Sequence, residues 1–154
     1  MTHLAELNLA RPSVPLDDPR IADFIDNLDR INGIAERSKG FVWRLKDGNG
    51  NATSLIMKSD PELIVNVSVW ETAEDLEHFV WNTLHKQFYR RKSEWFTPMA
   101  TPHFVMWPVE EGHRPDVAEA EERVRHLAEH GSTDFAFGWE HLPNIRQWME
   151  MRCA

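Results

Sequence analysis

The sequence contains one cysteine, Cys153, so it cannot close an intrachain disulfide, and that absence fits a reducing compartment. No apolar run approaches the roughly 20 residues that a membrane helix needs, and the first residues are not a basic stretch followed by an apolar one. A cytoplasmic protein without a membrane partner is the expectation. Positive charge is also scarce. The formal net charge is -8, which argues against nucleic acid as the main partner, because that binding draws its affinity from a positive field. Only the run Arg90, Arg91, Lys92 goes the other way. There is no Walker loop, dinucleotide fingerprint, nucleophile elbow or cysteine pair. His126 and His130 have a metal-competent helical spacing, but they lack a third ligand and lie in a highly charged helix, so a solvated face is expected and no metal is assigned.

Tryptophan, by contrast, is plentiful, with seven in 154 residues. Several sit at predicted strand ends, where a flat ring can wall a ligand site as well as fill a core. A chain of this length forms one domain and can bury a core without disulfides or a structural metal.

The organising stretch runs from Leu63 to Phe96. Leu63, Val65, Val67 and Val69 alternate with Ile64, Asn66, Ser68 and Trp70, which predicts a strand with one valine row and one partly polar row. The valine row suits packing on helices, and the other row suits the wall of a partly polar cavity. The period then becomes helical, with Thr72 as a candidate N-cap and Asp75 three residues on. This helix continues to about Phe96, with a break expected near Trp81, Asn82 and Thr83, and carries Trp81, His85 and Tyr89.

Upstream, Thr2 to Ala10 alternates Leu4, Glu6 and Asn8 against His3, Ala5, Leu7 and Leu9, a first strand with one apolar and one partly polar face. A proline-rich linker leads to Asp17 or Asp18, which can cap a helix bearing Ile21, Phe24, Ile25, Leu28, Ile31 and Ala35 on one face. Phe41 to Lys46 is a second strand, Asp47-Gly48-Asn49-Gly50 a hairpin turn, and Thr53 to Lys58 the returning strand. His103 to Val109 is a further strand. Pro115 opens a charged helix to about His130, and Phe135 to Trp139 reads as a last short strand. Residues 1–130 form the domain and 131–154 an extension.

This order, together with His3 to Asn8, Gly40 to Leu45, Asn66 to Glu71, His85 to Phe96 and Gly112-His113-Arg114-Pro115, resembles a bacterial domain family of unknown function in the dimeric α+β barrel superfamily, which is antibiotic-biosynthesis-monooxygenase-like. The resemblance covers roughly Thr2 to Leu127. It implies a ferredoxin-like antiparallel sheet with helices on one face, an extra C-terminal helix, and a homodimer in which two sheets close a barrel. It also implies a ligand cavity between sheet and helices. The haem-degrading branch of that superfamily uses a first-strand asparagine, a tryptophan on the helix after the third strand and a histidine further along as iron ligand. Asn8 and Trp81 occupy similar places, His85 falls about a turn early, and Tyr89 or Arg90 lies near the ligand position. No cofactor is the primary expectation, and haem the alternative.

The chemical candidates follow from residue type. His85 and Tyr89 are four apart and share a helix face, so an imidazole could move a proton while the phenol holds a substrate oxygen. With Asn8 they form the candidate catalytic set. Asn66, Ser68, Trp70, Trp43, Arg44, Trp81 and Trp107 are the candidate substrate-binding residues, and Glu6 is a further possible pocket charge. Two classes of function fit: an enzyme acting on a small aromatic or conjugated molecule, as a cofactor-free oxygenase or a cyclase or isomerase, and a non-catalytic metabolite-binding or stress protein.

Overall fold

A strand bonded along both edges is fixed more firmly than one at the margin of a sheet, and the first strand holds that position here. The computed structural model describes residues 2–46, 57–58, 60–82 and 90–142. Strand β1 (Thr2–Pro12) pairs antiparallel with β3 (Ile64–Trp70) on one side and β5 (Phe104–Glu110) on the other. It runs two residues past the predicted end because Arg11 and Pro12 pair with the short β4 (Phe96–Thr97). The second strand, β2 (Phe41–Arg44), pairs antiparallel with β3, so the spatial order is β2-β3-β1-β5. Taking these four strands in chain order gives 4-1-3-2, the ferredoxin-like arrangement the sequence implies. The predicted hairpin turn and most of its returning strand lie outside the described residues. Met57 and Asp60, at its end, bridge one another.

The first helical segment begins as predicted, with the Asp18 carboxylate accepting from the Arg20 amide at 2.8 Å and Pro19 directly after the cap. It is not one helix, however. A 3-10 turn (Pro19–Ile21) leads into α1 (Ala22–Asp26), and α2 (Leu28–Glu36) starts after Asn27. Asn27 Nδ2 donates to the Asp23 carbonyl at 2.8 Å, occupying the acceptor that a continuing helix would use. After α2 the chain turns at Gly40, whose φ is +81° and whose absent Cβ would lie 2.0 Å from an Asp75 carboxylate oxygen. Asp75 belongs to the first turn of α3 (Ala73–Asn82), where Thr72 Oγ1 accepts from the Asp75 amide at 3.1 Å, the predicted cap. Further on, α4 (Lys92–Trp95) buries Trp95 against Phe24, at 5.6 Å between ring centres.

The two faces of the sheet bury different surfaces. On one face Ala5, Leu7, Leu9, Val65, Val67, Val69, Val105 and Trp107 pack under Ala120 and Val124 of α5 (Val117–His130). Asp116 caps this helix by accepting from the Glu119 amide at 2.8 Å, and Gly131, with φ +73°, ends it. On the other face Leu4, Trp70 and Met106 pack under Ile31 and Ala35 of α2 and Leu76 and Phe79 of α3. The crossover helices thus share one face as expected, and the valine row meets the extra C-terminal helix. The sheet face through which the implied homodimer would close its barrel carries α5 of the same chain. The predicted last strand is reduced to two isolated bridges, Phe137 to Met106 and Ala136 to Thr133, followed by a 3-10 turn at Trp139–His141. No helix among the described residues is long and apolar enough to cross a membrane.

Candidate functional site

Because β1, β3 and β5 are in register, side chains of one parity form lines across the crossover-helix face. One line is Arg44, Ser68, Glu6 and Met106; the next, toward the C-terminal end of β1, is Asn66, Asn8 and Phe104. Exposure increases along β3 on this face, from 1% at Trp70 and 6% at Ser68 to an exposed Asn66. The row is therefore closed at its Trp70 end, where Phe79 stacks on the indole at 5.4 Å and Phe41 meets it edge-on at the same distance. It opens at the asparagines, where Asn8 is half-buried. Beside them Phe104 stacks on Trp139 at 5.2 Å.

A hydrogen-bonded chain lies under the closed end. Trp70 Nε1 donates to Ser68 Oγ at 2.9 Å, and Ser68 Oγ donates to Glu6 Oε1 at 2.6 Å. Burial pushes the Glu6 carboxyl up to about 8, against a smaller lowering by the Ser68 hydrogen bond. Glu6 is thus a carboxylic acid at neutral pH. With Oε1 accepting from Ser68, the acid proton belongs on Oε2, where it can be donated. Arg44 does not neutralise this acid: its Nε donates to Glu36 Oε1 at 2.8 Å, holding the Glu36 carboxyl below its usual range. A surface hollow of about 420 Å³ runs along β2, lined by Glu36 and Phe41 to Lys46, and shares Arg44 with the row.

Of the residues singled out in the sequence, the structure brings Asn8, Asn66, Ser68, Trp70 and Arg44 to one face. Trp43 and Trp107 lie on the opposite face, with the sheet between them and Asn66. There the Trp107 indole donates to Glu119 Oε2 at 2.8 Å, and the Arg114 guanidinium sits 5.9 Å from the Trp43 ring. Trp81 is in the last turn of α3. His85 and Tyr89 lie outside the described residues. Helix α3, which precedes them in the chain, packs through Leu76 and Phe79 against Trp70 on the crossover-helix face. His126, read as half of a metal-competent pair, has its Nε2 3.0 Å from Thr133 Oγ1 and its ring 4.6 Å from that of His130. Phe104 and Trp139 were missed. Strand alternation gives the parity of Phe104, but nothing in the sequence signals that Trp139 returns to stack on it.

A 4-1-3-2 antiparallel sheet, crossed by helices on the face that buries an acid beside two amides, defines an α+β protein of ferredoxin-like fold. The chain belongs to the family described as Domain of unknown function (DUF3291), which matches residues 3–153. Among solved structures, a conserved protein from Methanosarcina mazei Go1 is 11% identical, with 71% of this chain and 93% of that chain covered, at a TM-score of 0.48. PA3566 from Pseudomonas aeruginosa is also 11% identical, with 72% and 95% covered, at 0.48. A protein from Chloroflexus aurantiacus J-10-fl, provisionally described as an antibiotic biosynthesis monooxygenase, is 12% identical, with 73% and 97% covered, at 0.45. No curated protein matches the sequence.

Proposed function

We propose that the chain is a small-molecule enzyme of the monooxygenase-like type, acting on an aromatic or conjugated organic compound seated at the Asn8 end of the polar row. One observation carries this reading: Glu6, Ser68, Asn8 and Asn66 converge on the crossover-helix face beside the stacked rings of Phe104 and Trp139. The amides provide N–H donors for a carbonyl or enolate oxygen, and the rings provide a flat apolar wall. Glu6 provides a proton held and released near neutral pH, which is what general acid–base chemistry needs.

The test is oxygen consumption and product formation by the purified chain with a panel of aryl ketones, phenols and hydroquinones, under air and under argon. Turnover that needs air identifies an oxygenase, and turnover under argon a cyclase or isomerase. Saturable binding with no turnover by any compound overturns the enzymatic reading in favour of a binding protein. A Soret band that survives desalting after addition of haemin would instead mark a haem protein.

A further inference from the structure

The acid at the centre of the row bears on what kind of oxygen the site can accept. Glu6 lies on β1 two residues from Asn8, so the two side chains stand on the same face about 7 Å apart along the strand. One carboxyl oxygen is taken by Ser68, which is itself held by the Trp70 indole. The fixed chain therefore leaves Glu6 one face to offer, and that face can donate as long as the acid keeps its proton. Several charged groups on the elements packed here are engaged with one another. Arg44 and Lys46 both contact Glu36 at the end of α2, and Asp75 of α3 is bonded to Thr72. Asp23 of α1 contacts Arg91. On this face β5 presents Phe104, Met106 and Pro108, with the exposed Glu110 at its far end opposite Thr2. Among the described residues the acid's shift is caused by burial and Ser68 alone, with no contribution from a charge. Among the described residues, such a site has donors for a neutral oxygen and no charge acting on Glu6 that would offset a desolvated anion beside it.

We propose that this end of the row selects uncharged conjugated ketones and quinone-type carbonyls, whose oxygen accepts a hydrogen bond from the Glu6 acid with the Asn8 amide alongside, and that it rejects carboxylates. The proposal rests on the reading of this face as a small-molecule site. It is tested by calorimetric titration of the full chain with three ligands of one skeleton: 1-indanone, indane and indane-1-carboxylate. Indanone is expected to bind at least about tenfold more tightly than indane, the order of one hydrogen bond between uncharged groups, and the carboxylate to bind more weakly than indanone. Indanone affinity should fall by about tenfold per pH unit once Glu6 ionises above about pH 8.

Glu6→Gln keeps a donor in the same place, so it should retain indanone binding and abolish the pH dependence. Glu6→Ala should weaken indanone by at least about tenfold and leave indane unchanged. Equal affinity for indanone and indane, tighter binding of the carboxylate, or an unchanged pH profile in Glu6→Gln would overturn the role of Glu6 while leaving the small-molecule reading standing. Failure of all three ligands to bind would overturn both.

Discussion

Between about pH 4.5 and about 8 the folded chain keeps on Glu6 a proton that the unfolded chain has released. The native state then binds more protons than the unfolded one, so stability falls as pH rises through that window and levels off above it, with a slope of about 1.4 kcal/mol per unit. Replacing Glu6 with Gln removes the titration. Denaturant midpoints from pH 5 to 9 are expected to slope downward in the natural chain and to run flatter in Glu6→Gln, with the variant the more stable by a few kcal/mol at pH 8.5. Parallel slopes in the two proteins would show that Glu6 ionises normally. Gly40 makes a second prediction at this scale. An alanine there must hold φ +81° and displace the Asp75 carboxylate, so Gly40→Ala should cost about 2 kcal/mol or more in chemical denaturation. Alternation alone placed Asn8, Asn66 and Ser68 on polar rows and marked Glu6 as a possible pocket charge. What alternation cannot supply is depth, because the same period describes the exposed Asn66 and the buried Ser68, and only the helices overhead distinguish them.

The elements most legible in the sequence were those whose signal is local. The strand at Ile64–Trp70, the Thr72 cap and the helix ending near His130 each follow from a few adjacent residues. The break at Asn27 was not legible, because it depends on a side-chain amide outcompeting a backbone N–H for one carbonyl. The Phe135 to Trp139 segment reads as a strand but makes one bridge to the sheet, at Phe137, and one to Thr133, since Gly138 leads directly into the 3-10 turn. The seat of α5 was legible only in part: Val117, Ala120, Val124 and Leu127 recur at three and four and mark a face of the helix to bury, but not what it packs on, and only Ala120 and Val124 of it are buried. Its stability should therefore depend on its ends. Asp116→Ala removes the acceptor for the Glu119 amide and is expected to lower stability by about 1 kcal/mol. Asp116→Asn, which can still cap, should lose only a fraction of that. Equal losses in the two variants would assign the effect to charge instead of the cap.

At the scale of the molecule, α5 packs on the sheet face that the implied barrel would turn toward a second copy, so the helix decides how much apolar surface that face leaves for a partner. Charging the buried side of that helix tests this directly. Ala120→Glu together with Val124→Asp should lift α5 from the valine row, bare a contiguous apolar face, and raise the mass measured by light scattering at micromolar concentration above that of the natural chain. An unchanged mass with native circular dichroism would show that the row tolerates exposure. The central position of β1 has a consequence in time as well as space. Leu7 is made 98 residues before its β5 partner Val105. At about 10 residues per second the strand waits on the order of ten seconds for its second neighbour. During that interval one of its edges can pair with any passing extended chain. The sheet is thus assembled from its middle outward, and its first-made strand is among the last to be fully bonded. The rate of synthesis through residues 12–104, more than the final stability, should therefore set how much of this protein aggregates in the cell.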